Sequence, residues 1–181
     1  MKKAAAFLSI IVASGLLMVS IYNTLVDPSS WGSDIPSSIQ TARAYYQHVD
    51  PRRFYAIMGP LNQLLSLLTI ILFWRVSRSL RVYFTISFLL YAAIVVLTFV
   101  YFVPRDLILF TWPIQEHLEE IRRAAVEWSH MNWLRSLLGL GGVLFSCKAL
   151  STYYKIEALR TSNGKQPAGL AVELRNQAHA S

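Results

Sequence analysis

The stretch EWSHMNWLR, residues 127–135, carries side chains suited to acid–base and ionic chemistry. A neutral histidine can act as a general base, so we predict a catalytic role for His130, with Glu127 three residues earlier as the other candidate. Arg135 stays charged, and a guanidinium near a membrane either extends to the surface or binds an anion. The alternatives are an interfacial histidine without a catalytic role and an arginine that only reaches for the surface.

Further polar residues occur within or beside separate apolar segments, namely Asn23, Asn62, Gln63 and Asn132. Together with Arg135 they fall toward the same end of the predicted helices. Polar groups at membrane depth are costly unless paired, so a bundle that gathers them is expected to hold a polar pocket that opens outward. The alternative is that the amides only join helices, with hydrogen bonds of about 0.6 to 2 kcal/mol each.

The histidines and carboxylates do not form a metal-binding pattern. A Glu-x-x-His pair, which carboxylate-bridged di-metal bundles use twice, occurs once here, at Glu127 and His130. A haem ligand would have to be a histidine inside the bundle, and the four histidines fall outside the apolar segments or at their edge. We therefore predict neither a di-iron centre nor a haem, and we assign no metal-binding or cofactor-binding residues.

Aromatic residues accumulate at the same end of the predicted helices as the polar ones. Such rings commonly form a belt at the membrane interface, and they can also stack on a flat hydrophobic ligand. We predict a substrate-binding set of amides and aromatic residues, made of Asn23, Tyr55, Asn62, Trp128 and Trp133.

The composition indicates an integral membrane protein. Of the 181 residues, 54% are hydrophobic and 15% are charged, and the mean hydropathy is +0.40, whereas soluble domains are about 25% charged. The only cysteine, Cys147, excludes an intrachain disulfide. The formal charge of +7 includes no long basic run of the kind that binds nucleic acid. We predict contact with membrane lipid and none with nucleic acid.

Four apolar segments approach or reach the roughly 20 residues that a helix needs to cross a bilayer. They predict an all-α, four-helix transmembrane bundle within residues 1–160, with helices at about 4–25, 54–74, 82–103 and 133–153, and a mobile cytoplasmic tail at 161–181. The first segment follows two lysines, as a signal peptide does, but it is long and no clean cleavage site follows it. We predict that it is retained.

The distribution of charge predicts the orientation. The termini and the turn at 75–81 share ten Lys and Arg against two Glu, whereas the rest of the chain holds seven Arg against eight acidic residues. Because cytoplasmic segments carry the Lys and Arg excess, we predict cytoplasmic termini and two long outward-facing loops, 26–53 and 104–132. Each loop is predicted to carry a short helix, one from Ser37 through Tyr46 and one that runs from Gln115 into the last span.

Two short motifs open the second and fourth predicted helices. The first is Phe54 with GPLN at 59–62, and the second is W-x-x-x-N-x-x-R at 128–135. In these motifs, and over most of residues 10–150, the chain resembles the small four-helix membrane proteins of the anthrone-oxygenase-like family.

The resemblance implies the cofactor-independent oxidation of an anthrone to an anthraquinone by O2. The matching positions are Asn62, Trp128, Asn132 and Arg135, with His130 as a local candidate for the base. In that reaction Arg135 and Asn132 would hold the enolate oxygen, and Trp and Tyr faces would sandwich the rings.

The predicted function is therefore a membrane-bound oxygenase or related oxidoreductase that acts on a hydrophobic aromatic or quinone-like molecule at the outer membrane face. The alternative is a non-catalytic accessory or structural subunit of a larger membrane complex, or a homo-oligomer. Such a subunit would dock through the outer loops and through the last helix with its small residues Gly139, Gly141 and Gly142. A transporter is disfavoured because no charge lies in mid-membrane and no inverted repeat is present.

Overall fold

A computed structural model describes residues 1–48 and 51–164, and this part of the chain is helical without a strand. The helices are α1 (Lys2–Leu25), α2 (Asp27–Trp31), α3 (Ser37–Tyr46), α4 (Arg52–Phe73), α5 (Arg78–Leu97), α6 (Val103–Thr111) and α7 (Leu118–Gly164), with a π-helical turn at Thr98–Phe102 between α5 and α6. The predicted tail begins inside α7, and its remainder, residues 165–181, lies outside the described residues.

Four helical stretches are long and apolar enough to cross a membrane, which confirms the all-α, multi-pass membrane bundle. They are Lys2–Trp31, Arg52–Phe73, Arg78–Thr111 and Leu118–Ser162. The four predicted spans lie within these stretches, apart from the last residue of the second. Their orientation relative to the two sides of the membrane remains a prediction.

The third and fourth spans continue beyond the membrane. α7 has 47 residues, which at 1.5 Å per residue makes it about 70 Å long, against about 30 Å for a hydrocarbon core. The stretch from α5 through α6 extends past the core at the same end. The predicted loop 104–132 is therefore largely a helical hairpin whose connection is residues 112–117, and the predicted run of helix into the last span is confirmed from Leu118.

A π-helical turn links α5 to α6, and a proline accounts for its position. Pro104 lies in the first turn of α6 and has no N–H to donate to a carbonyl in the turn before it. The backbone widens there into five π-helical residues, a feature that often occurs at functional sites. The turn leaves Phe102 facing the interior at 1% exposure.

The connection between α4 and α5 is short, and it makes these two helices antiparallel neighbours. Ser77 caps α5, and its hydroxyl accepts a hydrogen bond from the Ser79 amide at 3.2 Å. A serine at this position satisfies one of the amides that a helix start leaves unpaired.

The long loops fold into a cap, which consists of α2, α3 and residues 102–131. Its apolar core is Trp31, Ile39, Phe102, Leu109, Ile114, Ile121, Ala124, Ala125 and Trp128. Arg43 connects α3 to the end of α6 within the cap. Its Nε donates to the Leu109 carbonyl and its Nη1 to the Trp112 carbonyl, both at 2.8 Å. These bonds satisfy carbonyls that the end of α6 leaves unpaired.

A second apolar core lies at the opposite end of the bundle. It is made of Ala6, Ile70, Phe73, Leu80, Phe84, Ala149 and Leu150. Between the two cores the helices bury polar side chains, so the bundle has a polar middle enclosed by an apolar core at each end.

In this middle region α5 and α7 approach closely at Gly142. The Ser87 hydroxyl donates to the Gly142 carbonyl at 2.7 Å and contacts the Ser146 hydroxyl at 2.6 Å. A Cβ at Gly142 would fall on the ring of Tyr91, whose side chain is 2% exposed and has little room to move. Glycine therefore permits this helix contact.

We expect Gly142→Ala to destabilise the protein by about 1 to 3 kcal/mol, because the added methyl group overpacks the contact with Tyr91. The measurement is thermal unfolding in detergent. Gly15→Ala is the matched control, since a Cβ at Gly15 meets nothing within 4 Å, and it should leave stability unchanged or slightly raised. Equal stability of the two variants would contradict this account of the contact.

Candidate functional site

A buried polar layer joins α1 to α7 directly beneath the cap. The Asn132 amide donates to the Ser20 carbonyl at 3.2 Å and to the Thr24 hydroxyl at 2.7 Å. The Ser136 hydroxyl lies 2.9 Å from that of Ser20. Asn132 has no exposed surface, so these bonds fix the part of α7 that also carries Arg135.

Arg135 is buried at the centre of this layer, with 8% of its surface exposed. Its Cζ lies 4.6 Å from the ring centre of Phe102 and 5.5 Å from those of Tyr55 and Trp128. Aromatic faces attract cations, and by about 2 kcal/mol or more where water is excluded. The rings thus form a compact apolar enclosure around a single positive charge.

The guanidinium retains unused hydrogen-bonding capacity. Among the described residues, no group accepts a hydrogen bond from Nε or Nη2 of Arg135, and none donates to Oδ1 of Asn132. Buried polar groups are normally paired, and unpaired donors on a guanidinium suit an anionic oxygen. The layer therefore has the donors that an oxyanion needs.

Asn23 and Tyr55, two residues of the predicted substrate-binding set, border the same region. With the Asn23 amide oriented so that its oxygen accepts from the Tyr55 hydroxyl at 2.6 Å, its nitrogen donates to the Val19 carbonyl and the Asp27 carboxylate, both at 3.1 Å. This chain of bonds joins α1, α2 and α4, and it holds the Tyr55 ring beside Arg135.

Asp106 is the carboxylate that the structure brings to Arg135. Its Oδ1 accepts a hydrogen bond from the Trp128 indole N–H at 2.9 Å, and it lies near enough to Arg135 for electrostatic attraction. Asp106 was not among the site residues predicted from the sequence. Its signal was a single acidic residue among the apolar residues of α6.

Asn62 is 5% exposed and lies seven residues after Tyr55 on the same face of α4. Its Oδ1 has no hydrogen-bond donor among the described residues. Gln63, next to it, is only half-buried. Asn62 thus faces the bundle interior about two helical turns below Tyr55.

Three predicted site residues lie away from this layer. Glu127 pairs with Arg105 at 2.7 Å and is 40% exposed. His130 is exposed, and Trp133 is 49% exposed on the outside of α7. The structure does not bring these three side chains to Arg135.

Two surface grooves flank the cap, and neither contains Arg135. One, of about 600 Å³, has His130 on its wall opposite Ser33 and Asp34. The other, of about 250 Å³, is lined by Arg105, Glu127 and neighbouring residues. The predicted outward-opening polar pocket is instead covered, because the long segments pack into an apolar core above the polar layer.

Two cap residues have shifted pKa values, with burial as the main cause. Burial, and to a smaller extent the nearby Asp27 carboxylate, raises the pKa of Tyr46 to about 12, so its phenol is neutral at physiological pH. Burial lowers the pKa of Arg43, which still leaves an arginine charged. Within 1–48 and 51–164 no group of three or more His, Cys, Asp or Glu is placed to hold a metal ion.

Comparison with known protein families gives one match. The family model described as anthrone oxygenase matches residues 52–145, which is more than half of the chain. This segment runs from the start of α4 through the Asn132 and Arg135 region of α7. No curated protein and no solved structure matches the chain.

Proposed function

The chain belongs to the anthrone oxygenase family, and on that premise we propose that it is a membrane-bound oxygenase that oxidises a hydrophobic, anthrone-like aromatic substrate with O2 and without a cofactor. The observation that carries the proposal is the buried Arg135, with unpaired donors inside an aromatic enclosure. Such an arrangement suits a flat molecule that becomes anionic during the reaction.

The proposed reaction requires the protein mainly to bind the substrate and to stabilise the negative charge that forms on it. Removal of a proton from the CH2 group of an anthrone gives an electron-rich enolate, which reacts with O2 directly. The Arg135 guanidinium holds the enolate oxygen through the donors that no described residue uses. Preorganised donors of this kind contribute about 10²- to 10³-fold each to a rate.

The enclosure favours a planar, apolar substrate. Phe102, Tyr55 and Trp128 surround the guanidinium, so a substrate reaches Arg135 only by sliding between these rings or by displacing one of them. A fused aromatic system can replace the ring contacts that it breaks, since offset and edge-on aromatic pairs are favourable. A compact polar phenol has no such compensation.

The test is turnover by purified full-length protein in detergent or lipid nanodiscs. We expect O2 uptake with hydroxylated tricyclic anthrones, and little with single-ring phenols of the same acidity. Heat-treated protein corrects for spontaneous oxidation. No acceleration with any tricyclic substrate would contradict the proposal, and a stoichiometric protein partner recovered from such an inactive preparation would favour an accessory subunit.

A further inference from the structure

Resting on the proposed function, we infer that Asp106 is the catalytic base that takes the substrate proton, with Trp128 as its positioning residue. Asp106 lies one helical turn after Phe102, so both side chains project from the same face of the helix toward α7. Phe102 touches the Arg135 guanidinium, and Asp106 bonds to Trp128, which also packs against Arg135. The three residues place a carboxylate beside the proposed binding site for the enolate.

The π-helical turn at Thr98–Phe102 contributes to this placement. An added residue in one turn rotates every later side chain about the helix axis relative to a regular α-helix. α6 begins directly after that turn, and the orientation that results brings Asp106 to the indole N–H of Trp128.

Charge conservation favours Asp106 over the other bases. Arg135 and Arg52 are the cations that act on the Asp106 carboxylate. When the carboxylate takes a proton and an enolate forms at Arg135, one negative charge moves from Asp106 to the substrate oxygen, and the buried layer keeps its net charge. His130 is exposed on the wall of a different groove, and Glu127 is already paired with Arg105.

The reaction balances with O2 as the only co-reactant. The substrate C–H bond breaks, its proton goes to the Asp106 carboxylate, and its electron pair enters the enolate. The enolate carbon then bonds to O2, which is reduced to a peroxide, and the carboxylic acid returns the proton to give a hydroperoxide. Loss of water from the hydroperoxide forms the new carbonyl, so one CH2 and one O2 give one C=O and one H2O.

The test is proton exchange in the absence of O2. Anthrone incubated with the protein in D2O under argon should gain deuterium at its CH2 group faster than in buffer, as measured by mass spectrometry. We expect Asp106→Asn to reduce the enzymatic exchange rate and kcat by about 10²- to 10⁴-fold, the range for general-base catalysis. KM should change by less than about threefold, because Asn can still accept the Trp128 hydrogen bond.

Trp128→Phe separates positioning from catalysis. It retains an aromatic ring near Arg135 but removes the bond to Asp106. We expect kcat to fall with KM nearly unchanged. In the double variant, Asp106→Asn should lower kcat much less than it does in the otherwise unmodified protein. Fully additive losses would contradict the positioning role of Trp128.

Asp34→Asn is the matched control, since Asp34 is exposed on the wall of the groove that His130 also lines. This variant should catalyse deuterium exchange and turnover at the rates of the unmodified protein. A second variant, Asp106→Ala, should recover part of its exchange rate when formate is added, which a purely structural role would not produce. Normal exchange in folded Asp106→Asn would overturn the role of Asp106 and leave the proposed function intact. Absence of exchange and turnover in the unmodified protein would overturn both.

Discussion

Arg135→Met is expected to lower kcat/KM by at least about 10³-fold while the protein still folds. The substitution keeps an unbranched side chain among Phe102, Tyr55 and Trp128 and removes the positive charge that holds the enolate. One preorganised donor is worth about 10² to 10³ in kcat, and a guanidinium offers two unpaired donors here. The measurement is steady-state turnover of a tricyclic anthrone, with size-exclusion elution and thermal unfolding as tests of folding.

Arg135→Lys keeps this prediction testable if the methionine variant does not fold. It retains a buried charge beside Asp106 but loses the planar set of donors, so we expect an intermediate loss of about 10²-fold. The control is Arg122→Met, which changes an exposed arginine paired with Glu119 at 3.1 Å and should retain full activity. Turnover by folded Arg135→Met within about tenfold of the unmodified protein would contradict the role of Arg135.

Phe102→Ala is expected to have the largest effect on stability, about 3 to 5 kcal/mol. Phe102 is 1% exposed and packs against both Trp128 and Arg135, so its removal opens a cavity between the cap and the polar layer. It also removes one ring of the proposed substrate enclosure. Turnover at a temperature where the variant remains folded should therefore fall as well.

Phe99→Ala is the control for this prediction because it removes the same ring from the same π-helical turn. Phe99 is 69% exposed, and we expect its loss to cost less than about 1 kcal/mol, since surface substitutions usually have small effects. Thermal unfolding of the two variants in one detergent gives the comparison. Equal destabilisation would show that Phe102 does not hold the cap to the bundle.

The membrane architecture was predictable because it depends on length and hydropathy. The apolar segments gave four spans, and the absence of Gly and Pro between Leu118 and Trp133 gave a helix that continues into the last one. The same periodicity places Trp128, Asn132 and Arg135 on one face, at spacings of four and three residues. These features follow from local rules that tertiary packing did not alter.

The prediction that His130 is a catalytic base rested on the chemistry of its imidazole and not on the helical period. His130 lies two positions before Asn132, and at 100° per residue the two side chains point to nearly opposite sides of a helix. Helical geometry alone therefore argued that His130 and Asn132 do not share a site. The chemical suitability of an imidazole as a base does not determine the direction in which the helix points it.

Asp106 could not be placed from the sequence for a different reason. Which face of α6 turns inward depends on the π-helical turn at Thr98–Phe102, and that turn changes the period on which a sequence-based assignment relies. The closure of the cap was equally inaccessible, because it depends on contacts between α3 and α6, such as Arg43 to the Leu109 carbonyl, that are remote in sequence.

The most direct test of the account is turnover of a tricyclic anthrone under ¹⁸O2, with unmodified protein and Arg135→Met compared by mass spectrometry of the product. The account predicts one ¹⁸O atom in the new carbonyl, formed at a rate that depends on the unmodified protein and falls to background in Arg135→Met. Product that forms no faster than in buffer, or equally fast with both proteins, would contradict it.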